Sequence, residues 1–266
     1  MSYSQTQWEQ IRSEHFIVYF YAGFQEFADE VSIAAEEYYN SVAQELGYVR
    51  YSKFWKWDKR VNIYIYPDHR SYLLASGQQS WSHGVANYTE MYIMSYVLGR
   101  DFLDRLLVHE IAHLIFRDFV GFKGEVPLWL DEGIAQWEEK NSRQIRIDKV
   151  QELASSKRLI SLDAMMQINV RNVPSDSKVK VIGLYAKEDK NSILEFRGDE
   201  LVNTYYLQAF SLVGFLMSKF GAEDFIVFSR QLRDGKTMLE ALQFAYPTQI
   251  RSFDKLELKW KEYILQ

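Results

Sequence analysis

Residues 101–117 read Asp-Phe-Leu-Asp-Arg-Leu-Leu-Val-His-Glu-Ile-Ala-His-Leu-Ile-Phe-Arg. Gly99 interrupts the chain just before this stretch. Asp101 then suits an N-cap, and Asp104 stands where the reciprocal capping acid would sit. Leu103, Leu106, Leu107, Val108, Ile111, Leu114, Ile115 and Phe116 leave almost no polar side. The pattern predicts a helix buried on most sides. Into it are set His109, Glu110 and His113, and residues four apart share a helical face, so two imidazoles can be presented to one ion. Burying these groups among hydrocarbon is costly without a partner, and a metal ion is such a partner.

A catalytic zinc ion keeps three protein ligands and one open position. The third ligand is expected from a different element. After His113 come eighteen residues and then Glu132, in the run Trp129-Leu130-Asp131-Glu132-Gly133-Ile134-Ala135. Pro127 suits the first turn of a helix, and Leu128, Leu130, Ile134, Ala135 and Trp137 make that helix amphipathic, with Glu132 in its early turns. Asp131 is the near competitor and points about 100° away. The alternative for Glu132 is a solvated acid at a helix start. Two neutral imidazoles and one carboxylate leave Zn²⁺ a net charge of about +1, which draws the pKa of a bound water toward ~7. Glu110, on the neighbouring sector, is placed to act as general base.

These residues resemble the gluzincin metallopeptidases, the group that includes thermolysin and aminopeptidase N. The aminopeptidase N branch has H-E-x-x-H, eighteen residues, then Glu within W-L-x-E-G-x-A, matched here by Trp129, Leu130, Glu132, Gly133 and Ala135. The resemblance implies that His109, His113 and Glu132 bind one Zn²⁺ and that Glu110 is the base. The same branch carries a downstream Tyr in a Y-x-K-G-like segment. Tyr206-Leu207-Gln208-Ala209 is similar, with Gln for Lys and Ala for Gly, which implies that Tyr206 stabilises the tetrahedral intermediate. A phenol suits that task because it donates to an oxyanion without competing for the metal. Adjacent Tyr205 is the rival, in a chain of 18 Tyr. The branch's G-x-M-E-N segment, whose Glu holds a substrate amino terminus, has its nearest counterpart in Gly84-Val85-Ala86-Asn87-Tyr88, without the Met and the Glu. Aminopeptidase activity is therefore not implied. At pattern level the chain is also similar to stand-alone peptidase MA-like domains over nearly its whole length, which implies a zincin-like α+β fold.

The 266 residues carry a formal charge of −5, with Lys and Arg scattered. No basic tract of the kind that nucleic-acid binding requires is present. No run of eighteen apolar residues spans a membrane, and the first fourteen residues lack the apolar core of a signal peptide. The compartment stays open, since an exported protein whose leader was removed would read the same way. Absence of Cys excludes disulfides and thiol catalysis. Aromatic content of 16% is mostly packing.

Along the chain, His15–Tyr21, Val61–Tyr66 and Met91–Leu98 read as strands, and Phe24–Leu46 as a helix stopped by Gly47. The Met91–Leu98 strand directly precedes the zinc helix. In the resembling enzymes it is an edge over the cleft, where an extended substrate can add; the alternative is a plain structural strand. Ser142 to Met166 is irregular and helical by turns. Lys178–Tyr185 and Ile193–Arg197 read as a hairpin around a Lys187–Asn191 turn. Helices are expected over 203–219, 222–233, 236–244 and 249–264. The whole is read as one peptidase unit, with an N-terminal lobe over 1–140 holding a small mixed sheet and both motif helices. A mainly helical C-terminal lobe occupies 141–266. His69 and His83 read as surface or loop residues. The expected function is a zinc metallopeptidase acting on peptide or protein substrates, with oligomeric state open. A gluzincin-fold binding or scaffold protein and a zinc hydrolase of non-peptide amides or esters are the alternatives.

Overall fold

In Phe16–Tyr21, our β2, side chains alternate between fully and partly buried, the period of a strand with one face on a core. In this computed structural model, residues 8–48, 55, 59–121, 123, 126–185 and 193–266 are described. Contacts divide the chain into two units, residues 1–119 and 120–266.

The first unit is built on a five-stranded sheet of β1 (Trp8–Arg12), β2, β3 (Val61–Tyr66), β4 (Gly84–Asn87) and β5 (Tyr92–Tyr96). Its order is β1-β2-β3-β5-β4. The three central strands are parallel, Phe16 pairing with Val61 and Asn62 with Tyr92, and both flanking strands are antiparallel to their neighbours. Parallel neighbours need a crossover. Helix α1 (Gln25–Glu45) supplies it between β2 and β3 and buries Ala28, Val31, Ala35, Tyr39 and Val42. It ends as expected, with Gly47 at a φ of 76° and Tyr48 N–H bonded to the Ala43 carbonyl. Helix α2 (His69–Ser76) comes after β3.

The expected edge strand is corrected by this order. β5, inside Met91–Leu98, is interior, and β4 lies outside it. Four partly buried residues led by glycine carry no strand signal of their own. The hairpin is made by its turn: Asn87 Oδ1 accepts from the N–H groups of Thr89 and Glu90, and Met91 takes a φ of 55°.

The second unit holds α4 (Leu128–Glu138), α5 (Arg143–Ser155), α6 (Leu162–Gln167), α7 (Gly198–Arg233), α8 (Met238–Ala245) and α9 (Phe253–Ile264). α3, spanning Leu107–Val120, belongs to the first unit as far as Phe119. α7 breaks at Gly221, with φ 80° and ψ 175°, which separates the two helices expected there. β6 (Lys178–Ile182) and β7 (Ile193–Arg197) form the expected antiparallel hairpin; its turn lies outside the described residues. Among the described residues, no helix is long and apolar enough to cross a membrane.

Candidate metal centre and active site

The helix bearing the histidines starts earlier than expected. Gly99, at a φ of 66°, offers its carbonyl to the N–H groups of both Phe102 and Leu103. Asp101 already has helical angles and makes no side-chain cap bond, so it is not the N-cap. Phe102–Leu106 forms a turn of π-helix, with Leu107 N–H bonded to the Phe102 carbonyl. Such a turn inserts one residue and shifts the angular position of every side chain on the later turns of the helix. Gly84 in β4 lies against this turn, since a Cβ there would come within 2.7 Å of a Leu106 methyl.

On α3, Leu107, Ile111, Ala112, Leu114, Ile115 and Phe116 are fully buried, as the apolar pattern requires. His109 and His113 share a face. Their Nε2 atoms stand 3.2 Å apart, with ring planes at 79°. Two lone pairs at that distance repel unless a proton or a cation lies between them. His113 and Glu110 are only 9% and 7% exposed. The Glu110 carboxylate is close enough to Tyr72 on α2 to act on its phenol. Burial first, and then this charge, push the Tyr72 pKa up, against hydrogen bonds to Ser82 and Ser76. The sequence offered no sign of Tyr72 as a neighbour of the base.

His69 and His83 stand apart from this pair. His69 Nε2 is 2.8 Å from the Ser82 carbonyl, and His83 Nδ1 is 2.8 Å from the Tyr96 hydroxyl. The two rings stack at 5.2 Å and tie the segment before β4 to α2 and β5.

In the second unit, Pro127 sits one position before α4 with extended ψ, and the Leu130 N–H bonds to its carbonyl. All residues from Trp129 to Glu138 are buried, so the helix is enclosed and not amphipathic as expected. Glu132 on it and Glu139 just after it are partnered instead of solvated. Glu132 Oε1 accepts from Arg171 Nη2 at 2.5 Å, and Arg146 Nη2 lies 2.7 Å from Glu139 Oε2. Arg171 was not singled out by any motif.

Arg171 also stands near enough to the Tyr206 hydroxyl to pull its pKa down. Burial and then the Glu132 charge raise the Tyr206 pKa to about 12, against the pull of Arg171. Tyr205 differs: it is 1% exposed, and its hydroxyl donates to the Met165 carbonyl at 3.3 Å. Burial raises its pKa as well. Gln208, in the position of the resembling segment's Lys, is fully buried. Its amide accepts from Ile160 N–H at 2.7 Å and donates to the Ile160 carbonyl at 2.8 Å.

Residues 48–177 match the family model of the Peptidase MA superfamily. That match takes in α3, α4 and Arg171, and it supports a zincin-like metallopeptidase domain in this part of the chain. No curated protein matches the chain. The mixed α and β structure is compatible with a zincin-like fold. Two imidazoles and a carboxylate suit a divalent transition metal, and His109, His113 and Glu132 could hold such an ion.

Proposed function

We propose that this protein is a zinc-dependent metallopeptidase of gluzincin type, in which His109, His113 and Glu132 hold one Zn²⁺. The observation that carries the reading is the convergence of the two Nε2 atoms on α3, with the Glu110 carboxylate buried between them in sequence. The Peptidase MA match over residues 48–177 supports it. When bound, the ion polarises a peptide carbonyl and acidifies a water molecule. Glu110 takes the proton of the attacking water and passes it to the departing amine. Its burial on the apolar helix α3 limits the access of bulk water to that carboxylate. Tyr206 donates its phenolic proton to the oxygen that gains charge as the carbonyl is attacked. Tyr205, whose proton is committed to the Met165 carbonyl, is not available for that role.

The test is Glu110→Gln assayed on an unstructured protein substrate, with bound zinc measured alongside. A Gln keeps the shape but cannot take a proton. The variant is expected to retain stoichiometric zinc and to lose hydrolysis by at least about 10²-fold. Undiminished cleavage would overturn the mechanism. His113→Ala and Glu132→Ala are expected to lose the metal, and full zinc content in both would place the site elsewhere.

A further inference from the structure

Trp137, on the last turn of α4, meets Phe210 of α7 with ring centroids 5.6 Å apart and planes tilted by 35°. The Arg143 guanidinium lies 3.9 Å over the Trp137 ring and helps to fix its plane. Beside these two rings, α4, α5, α7 and α9 enclose a cavity of about 170 Å³. Val150, Gly214 and Ile264 are buried in its walls, and Ile147, Gln151 and Tyr263 stand at its more exposed mouth. All of these residues belong to the second unit.

Ser211 lines the same cavity and is only 6% exposed. A serine inside a helix can return its proton to the carbonyl four residues earlier, as Ser229 does to Phe225 at 2.9 Å. Ser211 is used differently. Its Oγ accepts from Trp260 Nε1 at 3.0 Å, and among the described residues no group accepts the Ser211 proton. A buried donor left in that state is costly, and an acceptor oxygen on a ligand relieves the cost. None of the side chains around the cavity carries a formal charge, so a charged ligand would be desolvated without a partner. Aromatic and aliphatic walls with a single buried polar group are the usual make-up of a small-molecule site. An apolar cavity on the order of 150 Å³ holds one benzene ring, which sets the size of the occupant.

We propose that this cavity binds a neutral, single-ring aromatic molecule that carries an acceptor oxygen. The ring packs against Trp137 and Phe210, and the oxygen takes the proton of the Ser211 hydroxyl. The site shares no residue with His109, Glu110, His113 or Glu132, so it stands or falls apart from the metallopeptidase reading.

The experiment is isothermal titration calorimetry with two probes, acetophenone and α-methylstyrene, in which a methylene replaces the carbonyl oxygen. Acetophenone is expected to bind once per chain. α-Methylstyrene should bind about 2–10-fold more weakly, the worth of one net hydrogen bond. Ile147→Trp, which sets an indole in the mouth, should lose acetophenone binding. Ser211→Ala should bind both probes alike, at the affinity of the parent for α-methylstyrene. Circular dichroism checks that each variant is folded, and because Ser211→Ala also removes the acceptor of Trp260, Ile147→Trp serves as the independent variant. Protein stripped of metal by a chelator should bind acetophenone as untreated protein does. Absence of saturable acetophenone binding overturns the proposal, as do equal affinities of the parent for the two probes. Parental binding by folded Ile147→Trp, or discrimination kept by folded Ser211→Ala, places the probe elsewhere and overturns it too. Binding lost on stripping the metal assigns the probe to the metal centre, with the same consequence.

Discussion

Gly133 stands next to the proposed ligand Glu132 for a reason of space. A Cβ at this position would lie 2.4 Å from the Ala209 carbonyl oxygen and 2.8 Å from a Val213 methyl. The first of these is backbone and cannot swing aside, so glycine is what lets α4 rest on α7. Gly214 does the same for the Trp137 ring, which a Cβ would approach to 2.6 Å. Gly133→Ala is expected to destabilise the protein by about 1–3 kcal/mol, the range of overpacked cores. Calorimetry should show this as a melting point lowered by several degrees. An unchanged transition would mean that α4 and α7 can separate at no cost, which the enclosed packing of Trp129 and Leu130 argues against. Gln208 has the opposite logic. It holds both polar groups of Ile160 inside a core, as a strand partner would.

At the scale of elements, α2 shows how a cap governs local stability. Asp68 accepts from the Ser71 N–H at 2.8 Å and from the Ser71 hydroxyl at 3.1 Å. The backbone bond is the main cause of its pKa falling below the ordinary 3.8. An acid whose folded pKa is depressed stabilises the fold above its unfolded pKa, and that contribution is lost as pH falls through the folded value. Asp68→Asn keeps an acceptor but no charge. The parent should melt above this variant at neutral pH, with the gap closing as pH drops from about 4 downward; a gap independent of pH would remove the carboxylate from the explanation. Elements with strong periods, such as α1, β2 and β3, were legible in the sequence, as was the break at Gly221 in a helical run. β1 and β4 were not, because short flanking strands take their identity from the neighbour they pair with. The π turn at Phe102–Leu106 was invisible as well, since its residues suit an ordinary helix equally. Within the candidate site, the spacing of His109, Glu110 and His113 could be read directly. Adjacent tyrosines could not be told apart, because 205 and 206 differ only in what surrounds them. Arg171 was illegible for a similar reason: its partner lies on another element, and no spacing rule connects them.

For the whole molecule, the charges kept inside set how stability should answer to metal. Glu110, Asp131, Glu132, Glu138 and Glu139 are all buried carboxylates in a chain of net charge −5, and burial of negative charge is costly. An ion held by His109, His113 and Glu132 offsets part of that cost in the folded state and has no comparable site in the unfolded chain. Binding then stabilises the fold in proportion to the logarithm of free metal over its dissociation constant. At a hundredfold excess over that constant the gain is about 2.7 kcal/mol. Protein stripped by a chelator should therefore melt lower, and its transition should climb steadily as zinc is restored. Magnesium and calcium prefer oxygen ligands, so at the same concentrations they should leave the stripped protein's transition where it is. His113→Ala should melt at one temperature with or without zinc, which separates binding at these residues from non-specific effects of the ion. A scanning-calorimetry series over zinc concentration makes the measurement. Equal melting temperatures for stripped and zinc-supplemented parent protein would remove the metal from the fold's energetics and, with it, the proposed centre.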